Sequence, residues 1–149
     1  MIKIQHEDFD AGREIALLQS STQIGAVLSF VGTVRSNDNG TLESMWLEHY
    51  PVMTQNCLER IAEEAKTRWS ILNLSIIHRI GHLNVGEQIV FVGVASAHRQ
   101  DAFFAGEFIV DLLKTRAPFW KKEYFSDGRQ RWVDAKNSDE ESASRWCFL

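Results

Sequence analysis

Residues 72–80, LNLSIIHRI, and residues 88–97, QIVFVGVASA, are two apolar, β-branched runs separated only by the stretch GHLNVGE. Such runs read as strands. The connection between them, opened by Gly81 and carrying Gly86, reads as the turn of an antiparallel pair. Working outward, helical and strand signals mix without strict alternation. That fits an α+β fold with largely antiparallel strands better than a doubly wound parallel sheet.

Towards the N-terminus, Ile2 and Ile4 alternate with polar residues as in a short strand. Asp10 is placed to cap a helix to about Gln19, with Ile15 and Leu18 inward. Residues 24–34 read as a strand that ends at Arg35, before the turn-forming loop 36–40. Residues 42–50 return as a strand that Pro51 stops. Thr54 is expected to cap a helix to about Trp69, with Leu58, Ile61, Ala62 and Ala65 as its apolar stripe. Towards the C-terminus, Asp101 is expected to cap a helix to about Arg116, with Phe104, Phe108, Ile109 and Leu112 inward. Pro118 disfavours helix at Ala117 and so ends it. Residues 119–125 and 131–133 flank a hairpin loop at 126–130, and a polar tail from Ala135 closes on Trp146, Cys147, Phe148 and Leu149. The whole chain, residues 1–149, is expected to be one domain.

Composition narrows the function. The formal net charge is −4, so no global field attracts nucleic acid or acidic membranes. Anion binding has to come from local cations. The N-terminus carries no signal-like apolar run, and no stretch is long and apolar enough to span a bilayer, so a cytoplasmic protein is expected. Cys57 and Cys147 lack metal-site spacing and read as reduced thiols. His78 and His82 flank Gly81 between strands and share no helical face. No phosphate loop or nucleophile elbow occurs. No metal and no resident cofactor are expected.

The segment 114–123, KTRAPFWKKE, concentrates the chemistry: Lys114, Arg116, Lys121 and Lys122 interleave with Pro118, Phe119 and Trp120. Cations at a helix C-terminus offset the macrodipole, so a plain structural role is equally open on this segment alone. The functional reading is that Pro118 turns the chain and brings Lys114 and Lys121 to one pocket from different elements. Near other cations and apolar surface a lysine loses proton affinity and can move protons near neutral pH. His98 and Arg99 follow an apolar strand and open a helix, where anions bind. Arg35 ends a strand before a loop, a common place for ligand-binding side chains. His49 and Glu48 are read as structural.

Phe30-Val31-Gly32-Thr33-Val34-Arg35, Leu47-Glu48-His49-Tyr50-Pro51-Val52-Met53, His78-Arg79-Ile80-Gly81, Val85-Gly86-Glu87, Ala97-His98-Arg99 and Leu113 to Glu123 appear in this order. The series closely resembles the large, catalytic subunit of molybdopterin synthase, from about the first strand to Trp132. The resemblance implies an α/β hammerhead sub-lobe joined to a second α+β part. It implies a sulfurtransferase that converts cyclic pyranopterin monophosphate to molybdopterin, with sulfur from the C-terminal thiocarboxylate of a small ubiquitin-like carrier subunit. It also implies a homodimer core within a heterotetramer, each pocket borrowing residues across the dimer. Lys114 and Lys121 take the catalytic places, beside the carrier terminus and facing the substrate. Arg35, His98 and Arg99 take the phosphate- and pterin-binding places, with Arg116 and Lys122 as weaker members. A non-catalytic docking module and a carrier-independent lysine lyase are the competing readings. A nucleic-acid role fits the negative charge least.

Overall fold

The computed structural model describes residues 1–133, 137–144 and 146. The runs that open the sequence analysis become β4 (Asn73–Arg79) and β6 (Gln88–Ser96), paired antiparallel as the patterning requires. β4 is buried almost throughout and β6 over most of its length, so neither shows the polar alternation of a half-exposed strand. They form the centre of a sheet ordered β1-β4-β6-β2. β1 (Ile2–Gln5) pairs parallel with β4, and β2 (Ala26–Thr33) pairs antiparallel with β6.

The short connection does more than turn. Gly81, at φ +95, lets the chain leave β4 at a sharp angle. Residues Gly81–Asn84 then form β5, which pairs with β3 (Leu42–His49) in a second sheet. That sheet runs β5-β3-β7-β8, with β7 at Phe119–Phe125 and β8 at Gln130–Trp132. All its pairings are antiparallel. Val34, Leu47 and Leu83 pack together, with Ile89 of β6 against them, where the two sheets meet. The fold is therefore the expected α+β, with two mostly antiparallel sheets.

Helices cover both faces of the first sheet. α1 (Ala11–Leu18) is capped by Asp10, whose Oδ1 accepts from the Arg13 N–H at 3.1 Å, and sets Leu18 against Ile77, Phe91 and Ala95. On the other face, α2 (Met53–Arg68) and α3 (Arg99–Thr115) bury the larger cluster. It is built on Ile61, Ala65, Ile76, Val92, Phe108 and Leu112.

Two helix starts differ from the expectation. Thr54 lies inside α2 rather than before it, and Val52 holds the cap position. Asp101 lies in the first turn of α3, and His98 holds the cap position without a side-chain cap bond. Phe104, expected inward, is 41% exposed. Ala102 and Ala105 take the buried places in that turn, and Phe104 stacks on Trp69 instead. A short α4 (Asn137–Ser144) precedes Trp146, which is buried against Trp69 and Phe108. The tail thus returns to the body at that residue; Cys147, Phe148 and Leu149 lie outside the described residues.

Candidate active site

The corner between α3 and β7 is built from three successive carbonyls, each with its own donor. The Arg116 carbonyl accepts from Cys57 Sγ at 3.3 Å. The Ala117 carbonyl accepts from the Phe119 N–H at 2.9 Å. The Pro118 carbonyl accepts from Thr54 Oγ1 at 2.9 Å, and Thr54 Oγ1 in turn accepts from the Tyr50 N–H. Thr54 is fully buried, so this bond lies out of competition with water. Burial raises the Cys57 thiol above its ordinary pKa, which keeps its proton available for donation. Sequence reading missed both residues. Their signal, a polar side chain in the first turns of an amphipathic helix, looks like ordinary capping or core filling.

This corner folds Lys114, at the end of α3, and Lys121, on β7, around one narrow cavity of about 90 Å³. Phe30, Gly32 and Thr33 of β2 line it, with Ile89 and Val90 of β6 and Val110 and Leu113 of α3. Lys114 is exposed and Lys121 half-buried. The cavity holds only about three waters' worth of space, far below the several hundred Å³ of a small-molecule pocket.

His78 of β4 also lines the cavity, and the sequence reading, which weighed it only with His82, gave it no place in the site. Its ring stacks on Phe119, with centroids 3.7 Å apart and planes 14° from parallel. Nδ1 lies 2.8 Å from the Arg79 carbonyl, an acceptor, so that nitrogen carries the proton and Nε2 is left as a lone-pair site. Burial pushes its pKa down to about 3; the Arg79 contact opposes this, and the charges of Lys121 and Lys114 add to it. His78 is thus a neutral plate between two cations.

The remaining candidates do not all converge. Arg35 is exposed and lies two residues beyond Thr33, which lines the cavity; Arg35 itself does not line it. Lys122 alternates with Lys121 along β7 and turns to the other face, over the Tyr124 and Trp132 rings. The Arg116 side chain pairs with Glu64 at 3.6 Å. His98 and Arg99 are exposed at the start of α3, next to the Ser96 end of β6. The cavity is at the opposite end of α3, and a helix of 17 residues spans about 25 Å. One chain therefore cannot bring His98 and Arg99 to its own Lys114. Glu48 accepts from the His49 N–H and contacts His49 Nδ1 at 3.0 Å, a local pair consistent with a structural role for both. A larger open groove of about 580 Å³, between the 37–39 loop and the β7–β8 hairpin, is distant in character. Its arginines are paired, Arg131 to Glu123 and Arg129 to Asp127. Among the described residues no His, Cys, Asp and Glu cluster has the arrangement of a metal site, and no helix is long and apolar enough to cross a membrane.

Fold and site together define a mixed α+β protein with a narrow cavity between a helix C-terminus and a strand, bordered by two lysines. The chain belongs to the MoaE protein family, whose profile matches residues 4–116. It is 54% identical over 147 residues to the molybdopterin synthase catalytic subunit of Pseudomonas aeruginosa, covering 97% of each chain. Among solved structures, it is similar to the molybdopterin biosynthesis MoaE protein from Burkholderia ambifaria. The TM-score is 0.84 at 48% identity, over 99% of this chain and 97% of that one. It is also similar to molybdopterin synthase from Staphylococcus aureus, with TM-score 0.80 and 32% identity over 88% and 95% of the two chains.

Proposed function

We propose that this chain works as the catalytic subunit of a molybdopterin synthase, an enzyme of molybdenum cofactor biosynthesis. It takes sulfur from the C-terminal thiocarboxylate of a small ubiquitin-like carrier subunit and delivers two sulfurs to cyclic pyranopterin monophosphate. The observation that carries this reading is the convergence of Lys114 and Lys121 on one slot sized for a peptide end. The carrier terminus and the substrate phosphate are both anions, and the chain's own charge is −4. Local cations offset that repulsion, and charge-assisted contacts do so most effectively.

In this reading Lys114 holds the thiocarboxylate and Lys121 faces the pterin. Either ammonium can supply the protons that acyl loss and opening of the cyclic phosphate require. Arg35 holds phosphate at the mouth. His98 and Arg99 serve the pocket from a second copy, which the length of α3 supports. That makes the chain the homodimer core of a heterotetramer with one carrier at each end. Arg116 and Lys122 contribute positive field rather than contact. One domain in the cytoplasm, with no resident cofactor, belongs to the same reading.

The test combines this chain with a thiocarboxylated carrier and the cyclic pterin and measures molybdopterin. Lys114→Ala and Lys121→Ala should each lower the rate by about 100-fold or more. Full rates in both variants would remove the lysines from the mechanism.

A further inference from the structure

Four of the residues that line the cavity carry polar side chains: Lys114, Lys121, Thr33 and His78. The two lysines only donate hydrogen bonds. Thr33 is exposed, whereas His78 is 6% exposed. Alternation along β4 sets His78 on the same face as Leu74 and Ile76, towards α2 and α3. Its Nδ1–H is committed to the Arg79 carbonyl, and Phe119 covers one side of the ring. These two contacts fix the direction of Nε2. That nitrogen has no hydrogen-bond partner among the described residues, and it is not sealed into the core as Ser75 Oγ is. A buried ring that lines a cavity with its one lone pair uncommitted presents that lone pair to a guest.

We infer that His78 Nε2 accepts the hydrogen bond of the last peptide N–H of the carrier tail, so that this residue reads the chain end while the lysines hold its charge. This rests on the carrier reading given above and adds a residue that recognises the amide.

Three features agree on it. First, a peptide end carries an anion and, roughly 2.5 Å back along the chain, an amide N–H. The lysines answer the anion. The N–H leaves water with it, and a buried amide without a partner costs about as much as a lost hydrogen bond. Much of the wall is apolar, with Phe30, Ile89, Val90, Val110 and Leu113. The corner carbonyls of Arg116, Ala117 and Pro118 each hold a donor already. Second, the place calls for a neutral acceptor. A carboxylate there would repel the carrier's anion, and a protonated imidazole would have no lone pair. Burial, with the charges of Lys121 and Lys114 adding to it, brings the His78 pKa down to about 3, so the lone pair is present at neutral pH. Third, the ring stacks on Phe119, two residues before Lys121 on β7. Acceptor and cation are therefore held by one strand, as reading the two ends of a single residue requires.

The experiment measures the affinity of the full-length chain for the carrier, in its carboxylate form, by calorimetry. Three carriers are compared: intact, lacking the last two residues, and intact but with the last peptide bond replaced by an ester, which removes the N–H alone. The ester should weaken binding to the wild type about tenfold, the usual loss when a buried hydrogen bond is left with one partner. His78→Phe should bind the intact carrier about tenfold more weakly and lose nothing further with the ester, the mark of two coupled partners. It should bind the shortened carrier as the wild type does, which a misfolded variant would not. His78→Gln, whose amide oxygen reaches about where Nε2 lies, should recover most of the affinity and respond to the ester again. A wild type that binds ester and amide carriers alike, while still discriminating against the shortened one, overturns the proposal and leaves the carrier reading standing. A His78→Phe chain that still loses tenfold with the ester does the same. A wild type indifferent to the loss of the last two residues sinks the carrier reading itself, and the proposal with it.

Discussion

Val52 carries a φ of 70° and a ψ of −56°, with the Met53 N–H bonded back to the Pro51 carbonyl at 2.9 Å. That is a γ-turn of the rarer, strained hand, and a β-branched residue suits it poorly. Its side chain is 72% exposed, so little packing offsets the strain. Val52→Gly should raise the urea midpoint, by an amount that corresponds to about 1 kcal/mol in unfolding free energy. This is the strain released, less the extra freedom glycine has when unfolded. A lower midpoint would show that the exposed isopropyl group is held by something else. His78 gives a prediction with a sign. Its folded pKa, about 3, lies below the ordinary 6.5, so the unfolded chain binds the proton more readily. The stability contributed by the neutral ring is whole above pH 6.5 and is lost as pH falls towards 3. Within that window the group contributes a slope of about 1.4 kcal/mol per pH unit. His78→Phe, which keeps a ring for Phe119, should flatten this dependence in urea melts at pH 4.5 and 7.5. An unchanged slope would mean that the buried imidazole is not the titrating group.

The site is an arrangement of elements more than of residues, and Thr54 shows it. Its hydroxyl joins the strand end at Tyr50 to the corner at Pro118. Thr54→Val keeps the shape and removes both bonds. It should cost about 1 to 2 kcal/mol, since a partly buried N–H and a partly buried carbonyl lose their partner. Turnover should fall further than melting temperature explains, because that corner sets Lys114 and Lys121 relative to each other. Normal turnover in a destabilised Thr54→Val protein would show that the corner is held without it. Periodicity revealed nearly every element here, since a strand buried on both faces and an amphipathic helix leave strong local patterns. It did not reveal β5, because four residues between glycines read as a turn until a partner strand is known. Phe104 was misplaced for a related reason: periodicity finds a stripe but not its width, and two alanines fill the buried turn. In the site, the KTRAPFWKKE segment identified the lysines. What the sequence hid was direction. Lys122 is adjacent to Lys121 yet faces away, and His98 shares a helix with Lys114 yet lies at its other end.

At the scale of the whole molecule, the chain's end returns to brace the helix that carries Lys114. Trp146 is 4% exposed and lies edge-on to Trp69 and Phe108. Its indole N–H donates to Asp111 Oδ2 at 2.7 Å, and its carbonyl accepts from Arg68 at 2.9 Å. One residue thereby links α2 to the C-terminal half of α3, within a turn of Lys114. Trp146→Ala opens a cavity in the main core and should cost about 3 kcal/mol, or some 10 °C in melting temperature for a chain of this size. Trp146→Phe keeps most of the ring contact and loses the donor, so its cost should be nearer 1 kcal/mol. The two variants separate packing from hydrogen bonding, and calorimetry reads both. The brace also has a functional consequence. If the C-terminal end of α3 is held twice, by the corner at Pro118 and by Trp146 at Asp111, loosening either should spread the positions Lys114 can take. Trp146→Ala should then lower turnover at 25 °C, well below its melting point, while circular dichroism reports intact helices. Equal turnover in the wild type and Trp146→Ala at that temperature would assign the tail to stability alone.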